Sequence, residues 1–255
     1  MKRLQAWLDG RPLCAPEGRV ILTDILEHRP VMRADTLPAL RGEGRRLTRL
    51  SRESLSVTLC VELAAEDPAE SQALMDALAA WSRGRRLRVS TRPGRVLDCV
   101  CTALPAVSVM RWTEAVRLTF TAWTVPFWQA ADKDSLLLEG AAAGGQLYLR
   151  GTEDTVLEAE ITALESVESL CLEREGERLA LSGLGLRAGD TLRAAHDAGG
   201  FLSLAVRSGD EERPALGCRE ARSADEISLR PGANTLRLTA DGEVRALLTG
   251  RGRWR

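Results

Sequence analysis

The chain has 255 residues, of which 44% are hydrophobic and 28% charged, and its formal net charge is −1. This composition is that of a globular protein, and the length allows one large β domain or two small ones. No apolar run approaches the roughly 18 residues of a membrane span, and the first residues lack the apolar core of a signal peptide. We therefore expect synthesis in a cytoplasm and no membrane span.

The first half of the chain alternates apolar and polar residues as β-strands do. Near the start, Asp9-Gly10 predicts a tight hairpin, because these residues supply the positive φ angles that such turns need. The cleanest alternation places apolar residues at positions 55, 57, 59, 61 and 63. The predicted strands are, in chain order, Val20–Leu26, Leu55–Leu63, Val96–Ala103 and Val116–Trp123.

One helix is predicted, over Pro68–Ser82. Asp67 can cap its first turn, Pro68 suits the first helical position, and Gly84 supplies the stop. Apolar residues at helical spacing form one stripe that we expect to pack on a sheet. They are Leu74, Met75, Leu78 and Trp81.

A basic segment at residues 33–52 is predicted to be a long loop. Six arginines stand there against two acidic residues, and long loops in compact domains are commonly functional. A subunit interface, a nucleic-acid site and a solvated surface all fit this charge, although a single Tyr and a pI near 6.2 do not favour nucleic acid. The candidate interface residues are Arg41, Arg45, Arg46 and Arg49.

The second half has a different rhythm, with turn signals about every ten residues that favour an antiparallel sandwich. Residues 130–145 are typical of a connector or an edge. Residues 1–130 hold 19 basic and 14 acidic side chains, and residues 131–255 hold 16 and 22. The balances of +5 and −6 support a domain boundary near residue 130. The predicted domains are therefore a β domain at 1–130, with the helix, and a β-sandwich at 131–255.

No motif for catalysis or for a cofactor is present. The chain lacks GxSxG, the P-loop, HExxH and GxGxxG, and its two histidines stand in no motif. The six cysteines lack CxxC spacing. Cys99 and Cys101 are expected on one side of a strand as core residues, with a redox pair or a metal site as the alternatives. We predict no catalytic, cofactor or metal site.

Several segments in chain order resemble the distal tail protein family of siphophages, often called Dit. They are the hairpin at Trp7-Leu8-Asp9-Gly10, residues 37–44 followed by the Leu47–Leu63 strand, helix 68–82 with Arg86-Leu87-Arg88-Val89, the Phe120–Trp128 segment, Leu229–Leu236 and Gly250–Trp254. Residues 37–44 depart from the Pro-Gly-x-Asp-Gly form of that family.

The resemblance implies a hexameric ring of tail-tube-like N-terminal domains and peripheral galectin-like or jelly-roll C-terminal domains. It implies a structural, non-enzymatic protein of the virion tail tip that joins the tail tube protein to the tip hub protein and holds receptor-binding proteins. DNA would pass through the ring lumen without specific binding. The alternatives are a carbohydrate-binding module of the tip and another tail-tube or tip-ring paralogue.

Overall fold

The fold is almost entirely antiparallel β structure in two compact units. The computed structural model describes residues 4–13, 19–38, 45–103, 113–196 and 201–254. The units are Met1–Trp128 and Gln129–Arg255. No helix in these described ranges is long and apolar enough to cross a membrane.

The described part of the first unit contains one helix, α1 (Pro68–Trp81). Its strands are β1 (Ala6–Leu8), β2 (Arg11–Pro12), β3 (Val20–Glu27), β4 (Val31–Pro38), β5 (Arg45–Ala64), β6 (Arg86–Val89), β7 (Arg95–Asp98), β8 (Val100–Ala103) and β9 (Thr113–Ala122), followed at the boundary by β10 (Trp128–Ala130). One sheet has the order β3-β5-β9-β8, and a second one contains β2-β1-β6-β7.

Strand β5 is the longest element of this unit, at 20 residues. Its second half lies between β3 and β9, and Leu55, Val57, Leu59, Val61 and Leu63 are all buried, as the alternation predicts. Its first half extends beyond this sheet and pairs only with β4 among the described strands. The second half of β5 therefore belongs to the core of the unit, whereas its first half forms an exposed pair of strands with β4.

Helix α1 confirms the predicted start and apolar stripe. Asp67 is extended, and its Oδ1 accepts a 2.8 Å hydrogen bond from the Glu70 backbone N–H. The stripe is buried, and the Trp81 ring meets Phe120 of β9 edge to face with centroids 5.9 Å apart. The helix thus covers the core side of the sheet.

Two expectations in this region are wrong. Val96–Ala103 is not one strand but two, β7 and β8, which belong to different sheets. The division lies at buried Cys99, whose backbone N–H donates a hydrogen bond to the Arg85 carbonyl. Gly84 does not end the helix through a left-handed backbone, because its φ is not positive. A Cβ there would lie 2.6 Å from both Leu8 Cγ and Asp9 Oδ2, so close packing requires the glycine.

The second unit is a β-sandwich of two sheets with orders β11-β22-β14-β17-β18-β19 and β12-β21-β15-β16. Its strands are β11 (Asp134–Glu139), β12 (Ala142–Leu149), β13 (Thr155–Val156), β14 (Glu158–Ala163), β15 (Val167–Arg174), β16 (Glu177–Leu186), β17 (Thr191–His196), β18 (Leu202–Ser208), β19 (Glu211–Pro214), β20 (Ser228–Leu229), β21 (Gly232–Ala240), β22 (Val244–Gly250) and β23 (Arg253–Trp254), with a 3-10 turn at Leu216–Cys218.

One cluster of buried aliphatic side chains from both sheets forms the core of this sandwich. The predicted turns separate the strands: Glu175 and Gly176, with φ of 46° and 94°, join β15 to β16, and Gly209, with φ of 61°, joins β18 to β19. The predicted turn at 197–200 lies outside the described residues. The 130–145 stretch is not a connector but provides edge strands β11 and β12.

Candidate subunit interface

Strands β4 and β5 form a two-stranded ribbon at Val31–Pro38 and Arg45–Ser54, which we call the ribbon. This corrects the prediction of a loop at 33–52. The ladder contains two irregularities, because Glu53 and Thr48 are extra residues on β5. The Thr48 hydroxyl donates to the Asp35 carbonyl at 2.8 Å and so fixes the second bulge. Each bulge shifts the alternation by one residue, which hides the strand period in the sequence.

The ribbon has one apolar face. Residues paired across an antiparallel ladder point to the same side, so Met32 shares a face with Arg52, Ala34 with Leu50, and Thr36 with Leu47. The apolar face therefore consists of Met32, Ala34, Leu47 and Leu50. Met32, Leu47 and Leu50 are 48%, 53% and 58% exposed. In the single chain this face is therefore largely open to solvent beyond Arg52, which contacts Phe127.

The opposite face is basic. It carries the pairs Val31 with Ser54, Arg33 with Ser51, Asp35 with Arg49, and Leu37 with Arg46, so the exposed side chains of Val31 and Leu37 lie at its two ends. Arg33 Nε lies 3.1 Å from Asp35 Oδ1 in an ion pair between exposed side chains. This face has three arginines, Arg33, Arg46 and Arg49, against one acidic residue, Asp35, whereas Arg45 and Arg52 point to the apolar face. We call this side the basic face.

The structure separates the four predicted interface arginines. Arg46 and Arg49 lie on the basic face, whereas Arg45, paired with Pro38, lies at the far end of the apolar face. All three are exposed. Arg41 lies outside the described residues. The sequence prediction missed Met32, Leu47 and Leu50, whose common face is visible only when the bulges are known.

The ribbon is fastened to its unit at the base. The Arg52 guanidinium carbon lies 4.5 Å from the centroid of the Phe127 ring, a cation–π contact. Beyond this point the ladder continues for six residue pairs, from Arg33–Ser51 to Pro38–Arg45, whose side chains are mostly exposed on both faces. A two-stranded ribbon is marginally stable on its own in water, and an unpaired strand edge is a template for another chain. These properties are typical of a surface that another protein covers.

The described residues form no cluster of three or more His, Cys, Asp or Glu side chains that could hold a metal ion. Burial raises the pKa of the Cys99 thiol to about 12, so this thiol is protonated at neutral pH. His28 Nε2 lies 2.8 Å from the Thr58 hydroxyl, and His196 lines a small cavity with Glu226 and otherwise apolar side chains. No arrangement of nucleophile and base is found among the described residues.

No protein-family model matches the chain, and no curated protein matches it. Among solved structures it is similar to the Dit protein of SPP1, described as a paradigm of the hub adsorption apparatus in phages that infect Gram-positive bacteria. That similarity covers 98% of this chain and 99% of the other, with a TM-score of 0.73 and 13% identity. A chain of the activated phage P2 baseplate with calcium matches over 98% of both chains, with a TM-score of 0.51 and 8% identity. The resemblance to the Dit family is thus confirmed as one of fold.

Proposed function

We propose that this protein is a structural ring subunit at the distal end of a long bacteriophage tail. It joins the tail tube to the tip or baseplate and docks receptor-binding or other tip proteins. The ring is a hexamer, through which DNA passes without specific binding. The chain is made in the cytoplasm of the bacterial host and works in the virion as a scaffold, without an enzymatic step.

The uncovered apolar face of the ribbon is the observation that carries this proposal. Exposed apolar patches of this kind mark sites where proteins associate. In a closed ring each subunit presents the same pair of unlike surfaces to its two neighbours, so one ribbon per copy is covered by the next copy. The fold shared with the SPP1 protein along nearly the whole chain is consistent with such a part.

The two units correspond to two proposed tasks. Residues 1–130, which contain the ribbon, form the ring, and the sandwich of 131–255 holds the attached tip proteins. A division of this kind leaves the sandwich free to vary with the partner while the ring keeps its geometry.

The test is the mass of the full chain in solution, measured by light scattering alone and with the tail proteins encoded beside it. The parent is expected to form six-copy assemblies in at least one of these conditions. Leu47→Glu with Leu50→Glu places two charges on the apolar face and is expected to leave a folded monomer. Both side chains are exposed in the single chain, so its melting temperature stays within a few degrees.

Leu137→Glu is the matched control, because Leu137 is also an exposed leucine on a strand but lies in the sandwich. This variant is expected to assemble like the parent. A parent that stays monomeric in every condition, or a Leu47→Glu/Leu50→Glu variant that still forms the ring, contradicts the proposal.

A further inference from the structure

The outer face of the four-stranded sheet in the sandwich carries an open groove. A cavity of about 420 Å³ lies over the strands β15, β16 and β21, and a second one of about 270 Å³ continues along the same face. The lining of the first contains Glu173, Arg178, Thr235 and Arg237. Together the two cavities form a shallow, elongated depression rather than an enclosed pocket.

The strand register places an aromatic ring beside this groove. Gln146 pairs with Thr235, and Tyr148 pairs with Ala233 one step further along the same two strands. Tyr148 and Thr235 are therefore diagonal neighbours on one face, at a separation that an aromatic side chain can bridge. Tyr148 is 68% exposed, so its ring is open to a ligand.

Several polar side chains of this face have no partner within the described part of the chain. The side chains of Gln146, Tyr148, Thr235 and Arg237 make no hydrogen bond or ion pair with another described residue. Arg237 stands opposite Glu173, but the ion pair of Glu173 is with Arg178, at 3.7 Å. On its other side Arg237 pairs with Gly144, which has no side chain to cover the guanidinium. Donors and acceptors are thus available in a row.

The chemistry of the lining restricts the ligand. Three glutamates, Glu173, Glu175 and Glu177, oppose two arginines in the first cavity, which disfavours a polyanion. The first cavity is lined by no large apolar side chain, and the two leucines at the second, Leu170 and Leu181, are buried, which disfavours a lipid or a hydrophobic peptide. What fits is a neutral molecule with many hydroxyl groups and one apolar side to lie on the Tyr148 ring.

The geometry points to an oligosaccharide-binding face on β12, β21 and β15. The planar Gln146 amide, Arg237 guanidinium and Glu173 carboxylate bind neighbouring hydroxyls of a neutral sugar chain, and Tyr148 stacks on the C–H face of one pyranose ring. The groove over the six-stranded sheet, about 410 Å³ and lined by Lys133, Arg193, Arg207 and acidic residues, contains no aromatic side chain and lacks this combination.

The experiment uses the full chain on an array of several hundred bacterial and plant oligosaccharides, followed by calorimetric titration of the best binder. Binding is expected for at least one neutral glycan. Tyr148→Ala is expected to weaken it about tenfold, the size of effect that loss of one ring contact gives. Tyr148→Phe keeps the ring and is expected to bind like the parent, whereas Arg237→Ala weakens binding.

Arg193→Ala removes an arginine from the outer face of the other sheet and is the control, with unchanged affinity expected. The titration is repeated with the Leu47→Glu/Leu50→Glu variant, whose affinity is expected to equal that of the parent, so sugar binding and ring assembly succeed or fail separately. The proposal is overturned if no glycan on the array is bound, or if Tyr148→Ala and Arg237→Ala both bind like the parent.

Discussion

Arg174 Nε donates a 2.9 Å hydrogen bond to Asn234 Oδ1 inside the sandwich, where both side chains are almost completely buried, at 2% and 0% exposure. Asn234 also holds the turn before β21, since its Oδ1 accepts from the Arg230 N–H and its Nδ2 donates to the Arg230 carbonyl at 2.8 Å. The charge of Arg174 is balanced by Glu175, 3.2 Å away. The Asn234 amide thus provides hydrogen bonds both to the buried Arg174 guanidinium and to the backbone of the turn at Arg230.

Asn234→Ala is expected to lower the free energy of unfolding by about 2 to 4 kcal/mol, because it leaves a buried guanidinium donor and two backbone groups without partners. Chemical denaturation measures the loss. Gln146→Ala, which removes an exposed amide from the neighbouring strand β12, is the control and is expected to change stability by less than about 0.5 kcal/mol. Equal effects of the two substitutions would show that the Arg174–Asn234 hydrogen bond does not contribute measurably to the free energy of unfolding.

Gly84 tests whether close packing or backbone conformation requires a glycine. A left-handed helix end accepts Asn as well as Gly, whereas a tight contact with buried Leu8 does not. Gly84→Asn is therefore expected to destabilise the protein by about 1 to 3 kcal/mol, the usual cost of overpacking. Gly94, with φ of 71° and no atom near its missing Cβ, is the matched site, and Gly94→Asn is expected to be nearly neutral. Thermal melts of both variants decide between the two causes.

Local patterns predicted the elements that obey one period throughout. The five apolar residues from Leu55 to Leu63 and the capped helix after Asp67 follow directly from spacing, and so do the glycine turns of the sandwich. The ribbon escaped prediction because the bulges at Thr48 and Glu53 shift the period twice within six residues. Arginines on its opposite face further obscured the apolar one.

The remaining features depend on pairing between distant segments. Tyr148 and Thr235 become neighbours only because β12 pairs with β21 across more than eighty residues of chain. Cys99 separates two strands because β7 and β8 find partners in different sheets, and no property of the 96–103 sequence announces that division. A single sequence contains the apolar positions but not the register that groups them.

Cys99 is expected to resist alkylation while the protein is folded, because burial raises the pKa of its thiol from near 9 to about 12. In the unfolded chain the thiol ionises above pH 9 and in the folded chain it does not. The contribution of this protonated thiol to stability is therefore fully present below pH 9. Between pH 9 and the folded-state pKa of about 12, the free energy of unfolding declines by up to about 1.4 kcal/mol per pH unit.

Iodoacetamide at pH 8.5 with peptide mass spectrometry is the measurement for Cys99, and the guanidinium-unfolded protein is the control in which this thiol reacts. Cys99→Ala is expected to flatten the decline in stability between pH 9 and 10.5 relative to the parent. Rapid native labelling of Cys99 would mean that the β7–β8 junction opens readily.

The sandwich unit is expected to fold without the first one. Its two sheets share one core, made entirely of its own aliphatic side chains. A fragment of residues 129–255 should therefore show dispersed amide resonances and a cooperative melt. A fragment that is unfolded or molten at 25 °C would contradict the proposed boundary near residue 130.

The arginines of the ribbon are expected to make a modest, salt-dependent contribution to assembly, whereas the apolar face makes the main one. Exposed ion pairs contribute only about 0 to 1 kcal/mol each and weaken with salt, whereas the apolar face does not depend on ionic strength in this way. Replacing Arg45, Arg46 and Arg49 by Ser should weaken the ring at low salt. At about 0.5 M salt, where charge is screened, the variant and the parent should assemble equally well. Light scattering across a salt series, with circular dichroism as the check on folding, measures this. Arg178→Ser with Arg237→Ser removes arginines from the sandwich and is the charge control, with assembly unchanged. If the ribbon variant loses the ring at every salt concentration, the arginines make the essential contact and the apolar face is secondary.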